Sequence, residues 1–184
     1  MPPNFEKIQA KNDWKDNLTS KEKQDLTEQI NLCNGIILQG GRFSDEYECF
    51  VAKYCYDNNI PILGICAGNN NIVRAVGGKI LRFNNKKAHK SLDKYVHKIK
   101  IDKNSNLYKI IGKDEMMVNS RHKAYTADSS ILKCVAYSDD GVVEAVEDET
   151  KRFYMAVQFH PESLYKTDEN MNSIFKYFIN ICRE

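Results

Sequence analysis

A chain of 184 residues supports one domain with a single sizeable core and leaves no room for two ordinary ones. Its 27 Lys and Arg against 25 Asp and Glu give a formal net charge of +2, spread without a basic stripe, which argues against a nucleic-acid surface. No apolar run reaches the roughly 20 residues of a membrane span and the N-terminus lacks the basic-then-apolar layout of a signal peptide, so the expectation is a soluble, cytoplasmic protein without a membrane partner.

Residues Met1 to Leu18 are polar, carry Pro2-Pro3, and read as an extended loop. Thr19-Ser20-Lys21-Glu22 is a capping box, followed by Leu26 and Ile30 at helical spacing up to about Cys33. Ile36-Ile37-Leu38 is a continuous apolar run ending at Gly40-Gly41, as in a parallel strand buried on both faces with a glycine turn after it. From Ser44, Tyr47, Phe50, Val51, Tyr54 and Cys55 repeat with helical period, which puts Cys55 on the core face and Cys49 on the flank. A strand from Ile60 to Ile65, a turn at Cys66 and a further helix then complete a strand–helix–strand unit. Such a unit brings Gly40-Gly41 and Cys66 to one rim of a sheet.

Gly77-Gly78 stops the helix after Cys66, Lys79 to Phe83 is extended, and a lysine-rich stretch runs on to Leu92. Tyr95, His97, Ile99 and Ile101 alternate as a half-buried strand. Met116 to Val118 and Ile131 to Tyr137 read as strands, and Ser138-Asp139-Asp140-Gly141 turns the second into Val142 to Val146 as a hairpin. The last strand, Phe153 to Phe159, meets His160-Pro161-Glu162. A closing helix carries Met171, Ile174, Phe175, Phe178, Ile179 and Cys182 on one stripe. The six cysteines, at positions 33, 49, 55, 66, 134 and 182, show no C-x-x-C spacing and read as reduced thiols.

Gly64-Ile65-Cys66-Ala67-Gly68 has the form of a strand-to-helix elbow, with glycines two residues either side of a thiol at a helix N-terminus. Such an N-terminus favours the thiolate. Read alone, the stretch also suits a buried structural cysteine. His160-Pro161-Glu162 follows a strand in the same way: the residue before proline is extended, so Glu162 can hold one nitrogen of the His160 ring. Read alone, that tripeptide also suits a strand end with a solvated carboxylate. Together they form a candidate Cys-His-Glu triad for acyl transfer. The backbone N–H groups of Ala67 and Gly41 are candidate oxyanion donors, although Gly40-Gly41 alone would also suit a plain turn.

These residues, with Val118-Asn119-Ser120-Arg121-His122, Asp140 to Ala145 and Val157-Gln158-Phe159-His160-Pro161-Glu162, resemble the class I glutamine amidotransferase-like superfamily. The likeness is strongest to its γ-glutamyl hydrolase branch, peptidase family C26, and runs from about Ile30 to Cys182. The resemblance implies an α/β, three-layer, flavodoxin-like domain, with helices on both faces of a mostly parallel sheet and antiparallel additions in the C-terminal half. It implies that Cys66 is the nucleophile, His160 the base and Glu162 its orienting acid. A γ-glutamyl thioester would be hydrolysed by water, with no metal or cofactor. Gly40, Asn70, Asn119, Ser120, His122 and Gln158 are the implied substrate contacts, though Asn119 to His122 would equally suit an ordinary turn.

Two activities follow from the resemblance: hydrolysis of a γ-glutamyl amide in a small molecule, or a glutaminase subunit serving a synthetase partner. A third reading is a non-catalytic relative. Three departures accompany the likeness. Asn70 stands where the family has glutamine, and Ala67 where arginine or leucine is frequent. The loop after Gly41 is short. Finally, the family chain opens with a further strand and helix ahead of the point where Met1 aligns, so the expectation is an N-terminally truncated domain whose open sheet edge invites a homodimer.

Overall fold

The computed structural model describes residues 8–9, 14–41, 45–83 and 89–184. The short strand β1 (Ile8–Gln9) precedes α1 (Ser20–Asn31). That helix starts on the capping box: the Thr19 hydroxyl accepts from the Glu22 N–H at 3.3 Å, and the Glu22 carboxylate accepts from the Thr19 N–H at 2.8 Å. There follow β2 (Ile36–Leu38), α2 (Asp45–Asp57), β3 (Ile62–Ile65), α3 (Ala67–Ala75) and β4 (Lys79–Arg82). The second half holds β5 (His97–Ile101), α4 (Asn106–Ile111), β6 (Glu115–Val118), β7 (Ala124–Asp128), β8 (Lys133–Ser138), β9 (Val143–Glu147), β10 (Tyr154–Val157) and α5 (Glu169–Arg183).

The main sheet runs β1-β4-β7-β9-β10-β3-β2, and β8, β5 and β6 continue in that order from β9 as a side branch. Only β2, β3 and β10 are mutually parallel, and the other pairings among the described residues are antiparallel. Helices cover both faces. Leu107 and Ile111 of α4 and Met171, Ile174 and Phe178 of α5 pack on one face, against Leu63, Ile65, Met155 and Val157. Ile30 of α1, Cys49, Ala52 and Cys55 of α2, and Ile72 and Val73 of α3 pack on the other, against Ile62, Tyr154 and Ala156. This is the three-layer α/β class that the sequence predicts, but the sheet is mixed and mainly antiparallel rather than mostly parallel, because only β2, β3 and β10 are joined in parallel.

Register fixes where the site lies. Leu38 pairs with Gly64, and Ile65 with Val157. Parallel strands in register end together, so the loops leaving β2, β3 and β10 emerge side by side and carry Gly40, Cys66 and His160 to one rim.

Several local expectations differ from the structure. Ile36–Leu38 is not buried on both faces. Among the described residues β2 is the last strand on its side, and Ile37, on the face that α5 covers farther in, is 45 % exposed. The buried stripe of α2 is Cys49, Ala52 and Cys55 rather than a Tyr47-led face, because small side chains let α2 lie close against α3. Cys49 is therefore fully buried, while Tyr47 turns outward and donates to the Glu22 carboxylate at 2.5 Å.

Three further elements, β1, α4 and β7, have no counterpart in the sequence reading, which takes the stretch that holds β1 as loop. The Ser105 hydroxyl caps α4 by accepting from the Tyr108 N–H at 2.9 Å, and Gly112 ends it at φ 72°. Glu147 reaches across to accept from the N–H groups of Asn106 and Leu107 at 2.7 and 3.1 Å. The expected helix start at Ser44, most of the opening loop before Trp14, and part of the lysine-rich stretch before Leu92 lie outside the described residues. No helix among the described residues is long and apolar enough to cross a membrane.

Candidate active site

Cys66 sits between β3 and α3 at φ 52° and ψ −98°, backbone torsions that cost of order 1–3 kcal/mol for a residue with a side chain. Its surroundings hold it there. The Cys66 N–H donates to the Val157 carbonyl at 2.9 Å, and its carbonyl accepts from the Asn70 N–H at 3.2 Å and from the Gln158 side-chain amide at 3.4 Å. The tight turn brings α3 down onto β2, where a Cβ on Gly68 would stand 2.2 Å from the Leu38 carbonyl oxygen. The thiol is thus projected at the first turn of a helix, where unpaired N–H groups and the helix dipole favour negative charge.

His160 faces it from the end of β10. The Nδ1 of His160 lies 2.6 Å from Glu162 Oε1, with Glu162 carried on the 3-10 turn Pro161–Ser163. With Nδ1 engaged by the carboxylate, Nε2 is the nitrogen left for the Cys66 thiol, and both side chains border the same Gly40. Burial lowers the His160 pKa, but the Cys66 thiol and the Glu162 carboxylate outweigh it and raise it to about 9. An imidazole so placed holds its proton beside the sulfur. Burial pushes the thiols of Cys49 and Cys55 up to about 12, which suppresses their thiolates.

Gly40 closes the third side. A Cβ there would lie 2.6 Å from His160 Cε1 and 3.3 Å from Cys66 Cβ, so only glycine allows this loop to approach the pair. Gly41 follows at φ 122°, a torsion that favours glycine, with open space where a Cβ would be. The Ala67 N–H is the first of α3 and has no acceptor within the helix. Asn70 Oδ1 is buried with no hydrogen-bond partner among the described residues.

The remaining expected substrate contacts are placed differently. Asn119 Oδ1 accepts from the His160 N–H at 2.7 Å, and its Nδ2 donates to the His160 carbonyl at 2.8 Å, so both ends of its amide hold the histidine backbone. Gln158 is fully buried, accepting from Asn69 Nδ2 at 2.8 Å and donating to the Cys66 carbonyl. It supports the elbow from behind. The Ser120 hydroxyl donates to the His89 carbonyl at 2.7 Å. His122 Nδ1 donates to the Ala124 carbonyl at 2.8 Å and its ring turns toward Glu144. These four side chains are buried, with their polar groups bonded to the protein or turned into its interior, which corrects their reading as a substrate wall.

Sequence reasoning assigned no role to Asn69, His89, His97 or Glu144. The available signal was a polar residue in a core-facing register: His97 falls on the same side of β5 as the buried Ile99 and Ile101.

A sharp elbow thiol, a carboxylate-held imidazole and a glycine turn on a three-layer α/β sheet define the class I glutamine amidotransferase-like proteins. The chain belongs to the Peptidase C26 family, whose model matches residues 42–162. It is 34 % identical over 161 residues to the A subunit of the glutamine-hydrolyzing GMP synthase of Methanococcus aeolicus, covering 84 % of this chain and 77 % of that protein. The glutamine-hydrolyzing GMP synthase of Brachyspira hyodysenteriae is 29 % identical over 150 residues, but this chain spans only 28 % of its length. A solved structure described as the A subunit of a GMP synthase from Thermoplasma acidophilum superimposes with a TM-score of 0.68 at 25 % identity, over 88 % of this chain and 78 % of that one.

Proposed function

We propose that this chain is the glutaminase unit of an amidotransferase, which hydrolyses the side-chain amide of glutamine and passes ammonia to a synthetase on a second polypeptide. The observation that carries the reading is the meeting of Cys66, His160 and Glu162 at one rim, on a chain whose relatives include the A subunit of a glutamine-hydrolyzing GMP synthase. Those relatives favour glutamine over the larger γ-glutamyl amides that the sequence resemblance puts first.

The Cys66 thiolate attacks the side-chain amide carbon of glutamine, forming a C–S bond and an oxyanion that the Ala67 and Gly41 N–H groups would receive. His160, carrying the thiol proton, delivers it to the departing nitrogen as the C–N bond breaks and ammonia leaves. A γ-glutamyl thioester remains. His160 then takes a proton from water, the resulting hydroxide attacks the thioester carbon, and glutamate leaves as the sulfur is released. Glu162 keeps the imidazole in the required tautomer throughout. Asn70 Oδ1, buried and without a partner among the described residues, is the acceptor offered to the glutamine head group.

The test compares glutamine with γ-glutamyl amides of larger amines, with and without the synthetase component of a GMP synthase. Preference for glutamine, with ammonia release rising when the synthetase and its nucleotide substrates are added, supports the reading. Faster turnover of the larger amides, indifferent to the synthetase, overturns it in favour of a γ-glutamyl hydrolase.

A further inference from the structure

Away from the Cys66 rim, four titratable side chains from four separate segments converge inside the protein. They are His89 before β5, His97 at its start, His122 between β6 and β7, and Glu144 on β9. His89 Nδ1, His97 Nε2 and His122 Nε2 each stand 3.4 Å from the same oxygen, Glu144 Oε1. Glu144 is fully buried, and the His89 and His122 side chains are 2 % and 1 % exposed. None of those three nitrogens, and neither oxygen of Glu144, makes a hydrogen bond among the described residues.

The outward nitrogens explain why. His89 Nε2 lies 2.9 Å from Asp140 Oδ2, and the Ala124 carbonyl takes a hydrogen bond from His122 Nδ1 at 2.8 Å. His97 Nδ1 lies 3.4 Å from the Lys98 carbonyl. Each outward nitrogen faces an oxygen acceptor and so carries the ring proton, leaving lone pairs on the three inward nitrogens, directed at a carboxylate that is itself an acceptor. Acceptors meeting acceptors in a dry interior are unfavourable unless a positive charge sits between them.

The geometry points to a structural divalent-cation site at this cluster, with three imidazole nitrogens and one carboxylate oxygen taking a first-row metal that favours imidazole, zinc foremost. A tetrahedral zinc with ligands at about 2.0–2.1 Å separates neighbouring ligand atoms by about 3.3–3.4 Å, and the three nitrogen-to-oxygen distances are each 3.4 Å. All four ligand atoms already lie within 4.8 Å of one another. Outward hydrogen bonds to a carboxylate and to main-chain carbonyls are the usual supports of metal-bound histidines, because they fix the tautomer and aim the ring. Nitrogen-rich ligation disfavours calcium and magnesium, which require oxygen.

Four protein ligands and near-complete burial leave no open coordination position, so the cation is a fastener and not a Lewis acid for the reaction at Cys66. What it fastens is specific. Glu144 accepts the Gln158 N–H through its carbonyl at 2.8 Å, and His122 lies three residues beyond Asn119, which grips His160. The cluster ties β5, β9 and the segment 119–122 together behind the triad.

The proposal is independent of the glutaminase reading, because its test reads metal rather than turnover. Untagged chain is loaded with zinc, dialysed against metal-free buffer and analysed for metal by mass spectrometry. A parallel cobalt-loaded sample is read by visible absorption. The expected result is about one zinc per chain and an intense tetrahedral cobalt band, both lost in His97→Ala and in a His97→Ala/His122→Ala variant, and both kept in Cys66→Ser. Far-UV circular dichroism checks that the variants fold. Zinc retained at well below one per chain by the unmodified protein, or a cobalt spectrum of octahedral type, overturns the site on the wild type alone. Metal lost in Cys66→Ser but kept in His97→Ala assigns it to the triad and overturns it equally.

Discussion

Asn119 grips the main chain of His160 from both sides, its Oδ1 taking the His160 N–H at 2.7 Å and its Nδ2 donating to the His160 carbonyl at 2.8 Å. The pair spans 41 residues of sequence and joins the loop after β6 to the loop after β10. Asn119 is a positioning residue. Asn119→Ala leaves the buried His160 N–H without a partner and removes one of the two donors to its carbonyl, the other being the Ser163 N–H at 3.2 Å, so it should cost about 1–3 kcal/mol of stability and lower kcat by more than about tenfold while KM changes little. Urea unfolding and steady-state kinetics on glutamine check both numbers. A purely structural role would lower stability without that split.

Cys66 occupies torsions that a side chain disfavours, held by a ring of hydrogen bonds. Cys66→Ala should abolish turnover, a loss of more than about 10³-fold, while the fold persists. Cys66→Gly should lose activity equally and gain stability, because glycine relieves the strained torsion. Thermal unfolding of the two variants beside the parent reads this directly.

The pH dependence follows from His160. Burial lowers its pKa, and contact with Cys66 and then Glu162 reverses that and lifts it from the ordinary 6.5 to about 9. A raised imidazole contributes stability that is full below 6.5 and is lost as pH rises through about 9. Ammonia departure needs the protonated ring, so kcat/KM should fall on the alkaline side near the same value. Glu162→Gln removes the negative charge that favours imidazolium. It should move the alkaline limb to lower pH and slow turnover by more than about tenfold. A pH–rate profile of the two proteins reads both effects.

Two glycines separate site from scaffold. A methyl on Gly40 meets His160 Cε1 at 2.6 Å, whereas one on Gly68 meets the Leu38 carbonyl oxygen at 2.2 Å. A side chain can turn aside and a paired backbone cannot. Gly40→Ala should therefore keep the fold and lose more than about tenfold in rate, while Gly68→Ala should lose at least about 1–3 kcal/mol of stability. Kinetics and urea unfolding distinguish the two.

The polar cap of α4 offers a check away from the rim. Glu147 accepts from the Asn106 and Leu107 N–H groups, so Glu147→Ala should destabilise the fold by about 1–2 kcal/mol. Catalytic constants should be unaffected, and parallel unfolding and kinetic measurements check this.

The elements flanking Cys66 and His160 were legible because their signals are local. Apolar runs stop at glycine or proline, a capping box starts α1, and a Ser-Asp-Asp-Gly turn joins β8 to β9. The role of Asn119 was not legible, because it depends on which main-chain groups a loop 41 residues away brings beside it. The same holds for His89, His97, His122 and Glu144, four single letters whose convergence exists only once β5, β7 and β9 are stacked. The exposed Ile37 and the buried Cys49 were misread for a related reason: apolar periodicity says which face is greasy, whereas coverage depends on where neighbouring elements end.

The central claim, an activated nucleophile at Cys66, is tested most directly by thiol alkylation with a glutamine-analogue chloroketone, followed by peptide mapping. Cys33 is exposed and Cys66 is partly buried, so exposure alone would favour Cys33. The account predicts labelling at Cys66 first, one label per chain, with glutamine protecting it and glutaminase activity lost in step. Labelling of Cys66 no faster than of Cys33, Cys134 or Cys182 would contradict it.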